Sequence, residues 1–303
     1  MPELPEVETV KRQLQKSLKS KQIKEVFVYM DKMIKVGPAK ISNLKIGSKK
    51  SSRNFAALLK NKRVLGLDRR AKYLIIRLSG GGNLMIHLRM SGQLIFLPKK
   101  VLKNPLTLSL AKTAIKQTLP SKHTHVEFIF SNGDKLFYND TRQFGHIRFV
   151  TDKEMKNVLS QQKLGPEPLT LKLKEFSEII KRHSSKRAKD FLLNQEVIAG
   201  IGNIYADESL FISKISPLRK VGSLKPDQQK LLLQSIQKVL QEAIKLGGSS
   251  IESFLMTNGT AGKFSDQHLV YAKEGKPCPR CGKPLHAQKI GSRTSTFCTN
   301  CQK

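Results

Sequence analysis

The segment Tyr73-Leu-Ile-Ile-Arg-Leu78 is followed by Ser79-Gly-Gly-Gly-Asn83 and then by Leu84-Met-Ile-His-Leu-Arg-Met90. Two short apolar runs on either side of a glycine-rich turn are typical of a β-hairpin. Similar runs occur elsewhere in the first half of the chain: Ile23–Tyr29, Val64–Leu67, Leu94–Leu97, His125–Phe130, Lys135–Tyr138 and His146–Val150. The first half is therefore predicted to form a mostly antiparallel β-sandwich or barrel.

Helical patterns flank these strands. Near the amino terminus, Val7, Val10, Leu14 and Leu18 recur at helical spacing, which predicts an amphipathic first helix. Beyond the breaker cluster Leu164-Gly-Pro-Glu-Pro168 the apolar residues again follow a helical period. The helices predicted there are Leu173–His183, Ala188–Asn194, Asn203–Ile212 and Pro226–Leu246. The fold class is therefore predicted to be α+β.

The composition excludes several classes of protein. The 303 residues carry 55 Lys or Arg against 23 Asp or Glu, a net charge of +32. A charge of this size predicts a polyanionic partner, with nucleic acid first and an anionic membrane surface second. A hydrophobic share of 39% excludes wholesale disorder, and no apolar run is long enough for a membrane span. The first ten residues contain three acids and no base, unlike a secretory signal, so we expect an intracellular protein.

Changes in pattern along the chain predict three domains. Residues 1–150 would form the β-sandwich domain, 151–264 a helical domain and 265–303 a small cysteine-containing domain. The basic stretch Lys99–Lys122 interrupts the strand pattern and is predicted to be a loop insertion in the first domain.

All four cysteines lie near the carboxyl terminus, in the pairs Cys278–Cys281 and Cys298–Cys301. Each Cys-x-x-Cys pair places two thiolates on one tight turn, and two such turns complete a tetrahedral Zn²⁺ site. The alternative is that the cysteines form two redox-active pairs or are free thiols. Four thiolates leave no open position on the metal, so we predict one structural Zn²⁺ in a small β-hairpin, with Arg293 near its tip.

Seven motifs occur in one order along the chain: Pro2-Glu-Leu-Pro-Glu-Val-Glu8, Arg70-Ala-Lys-Tyr73, His87-Leu-Arg-Met-Ser-Gly92, Asp140-Thr-Arg-Gln-Phe-Gly145, Leu164-Gly-Pro-Glu-Pro168, Gly200-Ile-Gly-Asn-Ile-Tyr205 and the four cysteines. Together these motifs resemble the formamidopyrimidine-DNA glycosylase family, the bacterial base-excision enzymes for oxidised purines. The resemblance covers nearly the whole chain outside Lys99–Lys122.

The resemblance implies an N-terminal helix and antiparallel β-sandwich, then a helical domain with a helix–two-turn–helix element and a C-terminal β-hairpin zinc finger. It implies a bifunctional DNA glycosylase and AP lyase of base-excision repair. Such an enzyme removes 8-oxoguanine and formamidopyrimidines from duplex DNA and nicks the abasic site by β,δ-elimination through a Schiff base. The expected partner is damaged double-stranded DNA, bound by a monomer in the bacterial cytoplasm or nucleoid.

The resemblance also implies the catalytic residues. Removal of Met1 would expose Pro2 as a secondary amine, and an α-amino group has a pKa of about 7.7–8.0 against about 10.4 for lysine. By resemblance, Pro2 is the nucleophile, Glu3 the general acid and base, and Lys72 a residue that reaches the lesion and its phosphate. Glu6 is either a carboxylate at the positive end of the helix dipole or an electrostatic support for the site.

Six further residues match positions that contact DNA in the family: Met90, Arg142, Phe144, Lys189, Asn203 and Arg293. The first three would fill the gap left by a flipped nucleotide, and the last three would contact phosphates. The loop Thr257–Phe264 matches the segment that closes over the flipped purine. Thr141 and Gln143 depart from the common Asp-Pro-Arg-Arg-Phe-Gly motif, and the loss of a cation at Gln143 would weaken a phosphate contact.

Two alternatives stay open at this point. One is a pyrimidine-specific enzyme of the endonuclease VIII type, although Leu4 and Pro5 favour the purine enzyme. The other is a zinc-finger DNA-binding protein without catalysis. That protein would account for the charge and the cysteines but not for the Pro2-Glu3 start.

Overall fold

The computed structural model describes residues 1–39, 49–102, 119–251 and 254–303. These residues form two compact units, the first made of 1–162 with 247–263 and the second of 163–246 with 264–303. Most of the predicted insertion Lys99–Lys122 lies outside the described residues. The predicted division at 150 and 264 rests on changes in sequence pattern along the chain, and it stays a prediction.

Two β-sheets form the first unit. The four-stranded sheet has the order β1-β7-β8-β6 and the five-stranded sheet has the order β2-β9-β5-β4-β3. Their pairings are antiparallel apart from β2 with β9, which is parallel. The strands are β1 Ile23–Val28, β2 Ile34–Val36, β3 Val64–Arg70, β4 Tyr73–Leu78, β5 Gly82–His87, β6 Gly92–Leu97, β7 Thr124–Phe130, β8 Lys135–Asp140 and β9 His146–Thr151.

Apolar side chains from both sheets and from the first helix, α1 (Leu4–Leu18), form one continuous core. Val7, Val10, Leu14 and Leu18 all face this core, as the helical spacing predicted. The predicted antiparallel sandwich with an N-terminal helix is therefore confirmed.

In the part of the first unit that the structure describes, three helices were absent from the sequence prediction: α2 Lys49–Leu59, α3 Lys99–Leu102 and α4 Asp152–Gln161. The helix α2 is rich in Lys and Ser and buries only Phe55 and Leu59 in the core, so its apolar stripe is narrow. Helix α4 begins with a capping box between Thr151 and Glu154, a signal that was present in the sequence.

The second unit is helical, with a C-terminal hairpin. Its helices are α5 Leu173–Arg182, α6 Ala188–Leu193, α7 Asn203–Ile212 and α8 Pro226–Lys245, and the hairpin pairs β10 His286–Ile290 with β11 Arg293–Phe297. Helix α7 is buried on almost every side, so it is the central helix of this unit. No helix in the described ranges is long and apolar enough to span a membrane.

One strand boundary differs from the sequence prediction, and the difference changes the position of Met90, a predicted DNA-contacting residue. The predicted strand Leu84–Met90 ends at His87, because Arg89 adopts a positive φ of 52°. Met90 therefore lies half-buried in the turn between β5 and β6 and not on the core face of a strand.

Two leucines on strand β3 provide a test of this core. Leu67 is 5% exposed and packs in the core, whereas Leu65 is 53% exposed. We expect Leu67→Ala to lower the free energy of unfolding by about 2–5 kcal/mol, because it removes buried apolar contacts and leaves a cavity. Leu65→Ala should change it by about 0.5 kcal/mol or less. Urea denaturation followed by circular dichroism measures both, and equal losses would contradict the assigned register.

Candidate functional site

The amino terminus is fixed against the start of helix α1. Pro2 is buried and Glu3 is 3% exposed, whereas Met1 is 39% exposed. The Glu6 carboxylate is buried behind them, where its Oε2 accepts a 2.7 Å hydrogen bond from the backbone N–H of Glu3. A buried carboxylate that binds backbone amides holds their positions, because breaking the bond would leave both groups unsatisfied.

The other oxygen of Glu6 binds a second segment of the chain. Glu6 Oε1 accepts a 2.9 Å hydrogen bond from the backbone N–H of Ser249. Gly248 has a positive φ of 83°, and a Cβ there would lie 2.9 Å from the same oxygen. Glu6 thus joins the amino terminus to the segment 247–263. Its carboxylate therefore fixes two backbone segments in addition to lying at the positive end of the helix dipole.

Lys72 lies in the two-residue turn between β3 and β4, next to Ala71 with φ 52°. It is 6% exposed. The turn is tied to helix α1 because Arg69 Nε lies 3.0 Å from Glu8 Oε2 and Arg69 donates a 3.0 Å hydrogen bond to the carbonyl of Ala71. The ion pair with Glu8 therefore links the turn that carries Lys72 to the helix that carries Glu3.

Glu8 is well suited to this role because it keeps its charge. Burial would raise the pKa of Glu8, but hydrogen bonds from Lys11, Arg12 and Arg69 outweigh it and leave the pKa below the usual 4.5. The pair contributes stability above the unfolded-state pKa, and this contribution is lost as the pH falls through the folded-state value.

A row of three rings crosses the five-stranded sheet beside this turn. Tyr73 pairs with His87 and His87 with His146, with ring centroids 4.6 and 6.0 Å apart. Burial, followed by the positive charge of Arg89, by coupling to His146 and by the charge of Lys72, holds the pKa of His87 well below its usual range. The histidine is therefore neutral at pH 7, in a region of positive potential that favours an anion such as a phosphate.

The three predicted gap-filling residues lie on two loops at one end of the sandwich. Met90 is in the β5–β6 turn, and Arg142 and Phe144 are in the β8–β9 loop. Phe144 is 48% exposed, and the Arg142 guanidinium stacks 5.1 Å from the centroid of its ring. An exposed aromatic ring has a face available for stacking on a base, and the cation beside it is attracted to DNA, so this pair is compatible with the predicted insertion.

The segment predicted to close over the flipped base is anchored near Thr257 and again near its other end, where the backbone N–H of Gly262 donates a 2.8 Å hydrogen bond to Ser250 Oγ. Both the backbone N–H and the hydroxyl of Thr257 donate 2.9 Å hydrogen bonds to Gln13 Oε1, and its carbonyl accepts one of 2.8 Å from Phe96 N–H. The following Asn258 is exposed. The segment is therefore held to α1 and β6 at Thr257 while its tip reaches solvent.

In the second unit Lys189 is completely buried. Its Nζ lies 2.6 Å from Asp207 Oδ1 and 3.3 Å from the carbonyl of Asn203. Asp207 also accepts hydrogen bonds from the Ser295 hydroxyl and, at 3.1 Å, from the backbone N–H of Thr296. A direct contact between Lys189 and phosphate would require the ammonium to leave this pair, so that predicted role stays untested.

Helix α7 holds the C-terminal hairpin at several points besides Asp207. At its start, Asn203 Nδ2 donates a 3.0 Å hydrogen bond to the carbonyl of Thr294. At its end, Arg280 donates to the carbonyls of Phe211 and Ile212 and stacks 4.4 Å from the Phe211 ring. The hairpin consequently has a fixed position on the helix, and Arg293 is exposed at its tip.

Glu208 fixes the segment that leads into the hairpin. Its carboxylate accepts hydrogen bonds of 2.8–3.0 Å from the backbone N–H groups of Leu269, Val270 and Tyr271. Sequence reasoning missed both Glu208 and Asp207, although two adjacent acids in an otherwise apolar helix are a signal of buried ionic contacts.

The four cysteine Sγ atoms lie within 4.8 Å of one another. Two of the separations are 3.9 Å for Cys278 with Cys301 and 3.6 Å for Cys281 with Cys298. A tetrahedral zinc site with Zn–S bonds of about 2.3 Å has S–S edges of about 3.8 Å, so the cluster fits zinc. The core around it is small, with Phe211, Val270 and Leu285 beside the cysteines.

Comparison with known proteins agrees with the motifs. Family models match residues 1–147 as the formamidopyrimidine-DNA glycosylase N-terminal domain, 164–255 as the H2TH domain of that enzyme, and 275–303 as the zinc finger found in FPG and IleRS. A Pelotomaculum thermopropionicum formamidopyrimidine-DNA glycosylase is 39% identical over 100% of this chain and 99% of its own length. One from Mycoplasma mobile is 35% identical over the same shares.

Solved structures give the same result. The Lactococcus lactis Fpg bound to DNA containing N7-benzyl-Fapy-dG matches with a TM-score of 0.81 and 34% identity, covering 100% of both chains. Its complex with DNA containing an abasic site matches with a TM-score of 0.81 and 33% identity over 99% of each chain. The chain belongs to the formamidopyrimidine-DNA glycosylase family.

As a member of this family, the protein is a bifunctional DNA glycosylase and AP lyase of base-excision repair, and its partner is damaged DNA. The predicted recognition, fold class and activity are confirmed. The finger of this glycosylase holds one structural Zn²⁺ through its four cysteines. The zinc crosslinks two turns whose own core is too small to hold them together.

The zinc assignment predicts that Cys298→Ser lowers the zinc content from about one ion per chain to none, because a tetrahedral site of four thiolates loses a ligand. Duplex binding should fall with it, since the finger unfolds. Metal analysis and gel-shift titration measure the two effects. Thr299→Ala, an exposed change in the same turn, serves as the control and should retain both.

The Lys189–Asp207 pair predicts a large loss of stability on substitution. Asp207→Asn leaves a buried ammonium without its counter-charge, so the free energy of unfolding should drop by about 3–5 kcal/mol. Asp190→Asn removes the partly exposed pair with Arg187 and should cost about 0–1 kcal/mol. Urea denaturation compares the two variants. Equal costs would mean that the pair with Lys189 is not desolvated as the structure shows.

Proposed function

We propose that this glycosylase excises 8-oxoguanine and formamidopyrimidines opposite cytosine and cleaves the strand by successive β- and δ-elimination, with Pro2 as the nucleophile. The observation that carries the proposal is the fixed amino terminus. Pro2 and Glu3 are buried at the start of α1, and the Glu6 carboxylate holds the Glu3 amide at 2.7 Å. The enzyme acts as a monomer in the bacterial cytoplasm or nucleoid.

The chemistry begins with removal of Met1, whose exposure of 39% leaves it open to an aminopeptidase. The free Pro2 nitrogen attacks C1′ of the damaged nucleotide, the bond from C1′ to the base breaks, and the base leaves with the proton that the amine releases. Opening of the sugar ring then gives an iminium between Pro2 and C1′. The nitrogen is secondary, so the iminium stays cationic without a proton and acidifies C2′.

Glu3 is placed to move the protons of this sequence. It protonates the ring oxygen of the sugar as the ring opens, and its carboxylate then takes the C2′ proton so that the 3′ phosphate leaves. Elimination of the 5′ phosphate follows. Lys72, which together with Arg89 contributes to the positive potential at His87, supplies positive charge for the phosphate next to the lesion.

The lesion must leave the base stack before Pro2 can reach it, at a cost of a few kcal/mol. Met90, Arg142 and Phe144 compensate for part of this cost. The Phe144 ring replaces lost stacking, and the Arg142 guanidinium, stacked on it at 5.1 Å, donates hydrogen bonds to the orphaned cytosine. The second unit contributes Asn203 at the start of α7 and Arg293 at the hairpin tip as phosphate contacts.

Borohydride trapping tests the proposed nucleophile. The enzyme, shown by mass spectrometry to start at Pro2, should form a covalent adduct with a duplex containing one 8-oxoguanine opposite cytosine. Glu3→Gln should lower the single-turnover rate by about 10²–10⁴-fold, the usual contribution of a general acid or base. Pro2→Gly should trap far more slowly, since its amine is primary and its backbone lacks the ring.

The exposed carboxylate Glu25 provides a matched control, and Glu25→Gln should trap at the native rate. An adduct formed at full rate by Pro2→Gly would remove Pro2 from the role. Retention of Met1 in an active enzyme would do the same. A preference for thymine glycol over 8-oxoguanine would instead assign the chain to pyrimidine repair.

A further inference from the structure

A single buried carboxylate joins the two loops that carry the gap-filling residues. Asp140 is completely buried at the end of strand β8. Its Oδ1 accepts hydrogen bonds from the Ser91 hydroxyl and, at 3.2 Å, from the backbone N–H of Arg142. Its Oδ2 accepts one of 2.8 Å from the backbone N–H of Gly145. The carboxylate thus spans the whole β8–β9 loop, from Arg142 to Gly145.

Ser91 completes the connection between the loops. Its Oγ donates to Asp140 and accepts a 2.9 Å hydrogen bond from the backbone N–H of Arg142. Ser91 directly follows Met90, and it is 4% exposed. The β5–β6 turn and the β8–β9 loop therefore share one network of hydrogen bonds, which we call the Ser91–Asp140 clamp.

The backbone around the clamp leaves little freedom for another arrangement. A Cβ at Gly145 would lie 2.1 Å from the Tyr138 hydroxyl and 2.8 Å from the carbonyl of His87. A Cβ at Gly92 would lie 2.5 Å from the carbonyl of Leu88. In the same β8–β9 loop, Gln143 has a positive φ of 57°. A residue with a side chain keeps such a backbone conformation only when the surrounding structure enforces it.

We propose that Asp140 and Ser91 are positioning residues that preset the wedge formed by Met90, Arg142 and Phe144 before DNA is bound. This inference rests on the proposed function, in which these three residues fill the gap left by the lesion. When the wedge is already ordered in the free enzyme, the loss of conformational entropy that orders it occurs during folding. That loss then does not add to the free energy needed to extrude the base. The clamp acts on flipping, whereas Pro2 and Glu3 act on the sugar.

The separation between flipping and sugar chemistry allows a test with two substrates. A duplex with 8-oxoguanine opposite cytosine requires the wedge. A single-stranded oligonucleotide with one abasic site has no stack to open and requires only the nucleophile and proton transfers. We expect Ser91→Ala to slow single-turnover excision from the duplex about tenfold, because two hydrogen bonds of the clamp are lost. Borohydride trapping on the single strand should stay within about twofold of native.

Two further variants show whether the hydroxyl itself is responsible. Ser91→Thr keeps the hydroxyl and should restore most of the duplex rate. Ser79→Ala removes a hydroxyl from another turn of the same unit, where Ser79 Oγ accepts a 2.9 Å hydrogen bond from Arg63 N–H, and it should excise at the native rate. The melting temperatures of the variants are compared alongside, so that a general loss of stability is recognised.

Hydrogen exchange in the free protein measures directly whether the β8–β9 loop is ordered before DNA is bound. The backbone N–H groups of Arg142 and Gly145 are both clamp donors. In Ser91→Ala the peptide containing residues 140–146 should exchange faster, and peptides from strand β4 should exchange as in the native protein. This measurement uses no DNA, so it judges the clamp independently of the proposed function.

The results separate the two proposals. Native duplex excision by Ser91→Ala together with unchanged exchange in 140–146 would overturn the clamp. An equal fall on both substrates would also overturn it, because the serine would then serve the fold as a whole. Failure of the unaltered enzyme to trap on either substrate would overturn the proposed function, and the wedge with it, whatever the serine variant does.

Discussion

The buried carboxylate of Glu6 is the contact on which the proposed active site depends most directly. It holds the backbone N–H groups of Glu3 and Ser249 at 2.7 and 2.9 Å, so the reactive amino terminus and the 247–263 segment share one anchor. A chain terminus normally frays, because few contacts oppose its conformational entropy. Hydrogen bonds to a buried carboxylate oppose that tendency and fix the backbone next to Pro2, the proposed nucleophile.

Other buried carboxylates hold the segments that carry proposed functional residues in the same way. Glu8 ties the Lys72 turn to helix α1 through Arg69, and Asp140 spans the loop of Arg142 and Phe144. In the second unit, Asp207 and Glu208 hold the hairpin and the segment that precedes it. Each of these acids is 6% exposed or less and accepts hydrogen bonds from backbone N–H groups or cations.

The burial of these acids explains part of the positive charge of the protein surface. With only 23 acids against 55 bases, the chain places several carboxylates inside, where they neutralise buried cations or bind amides. The negative charge is thereby removed from the surface, and the accessible charge is dominated by Lys and Arg. Such a surface attracts DNA over a distance set by the Debye length, so this sequence-independent part of the binding depends on the salt concentration.

The sequence by itself determined the classes of element and the chemistry of the metal site. The apolar runs and the turn residues around Gly80–Asn83 specify a hairpin, and the Cys-x-x-Cys spacing specifies tetrahedral zinc, because both signals are local in the chain. Only the tertiary structure decided the positions of Met90, Glu6 and Lys189. Met90 is in phase with a strand until the positive φ of Arg89 ends it. Glu6 meets Ser249, and Lys189 meets Asp207, across separations in sequence that no periodic pattern encodes. Long-range contacts between buried polar groups depend on the packing of the whole unit, which local propensity does not specify.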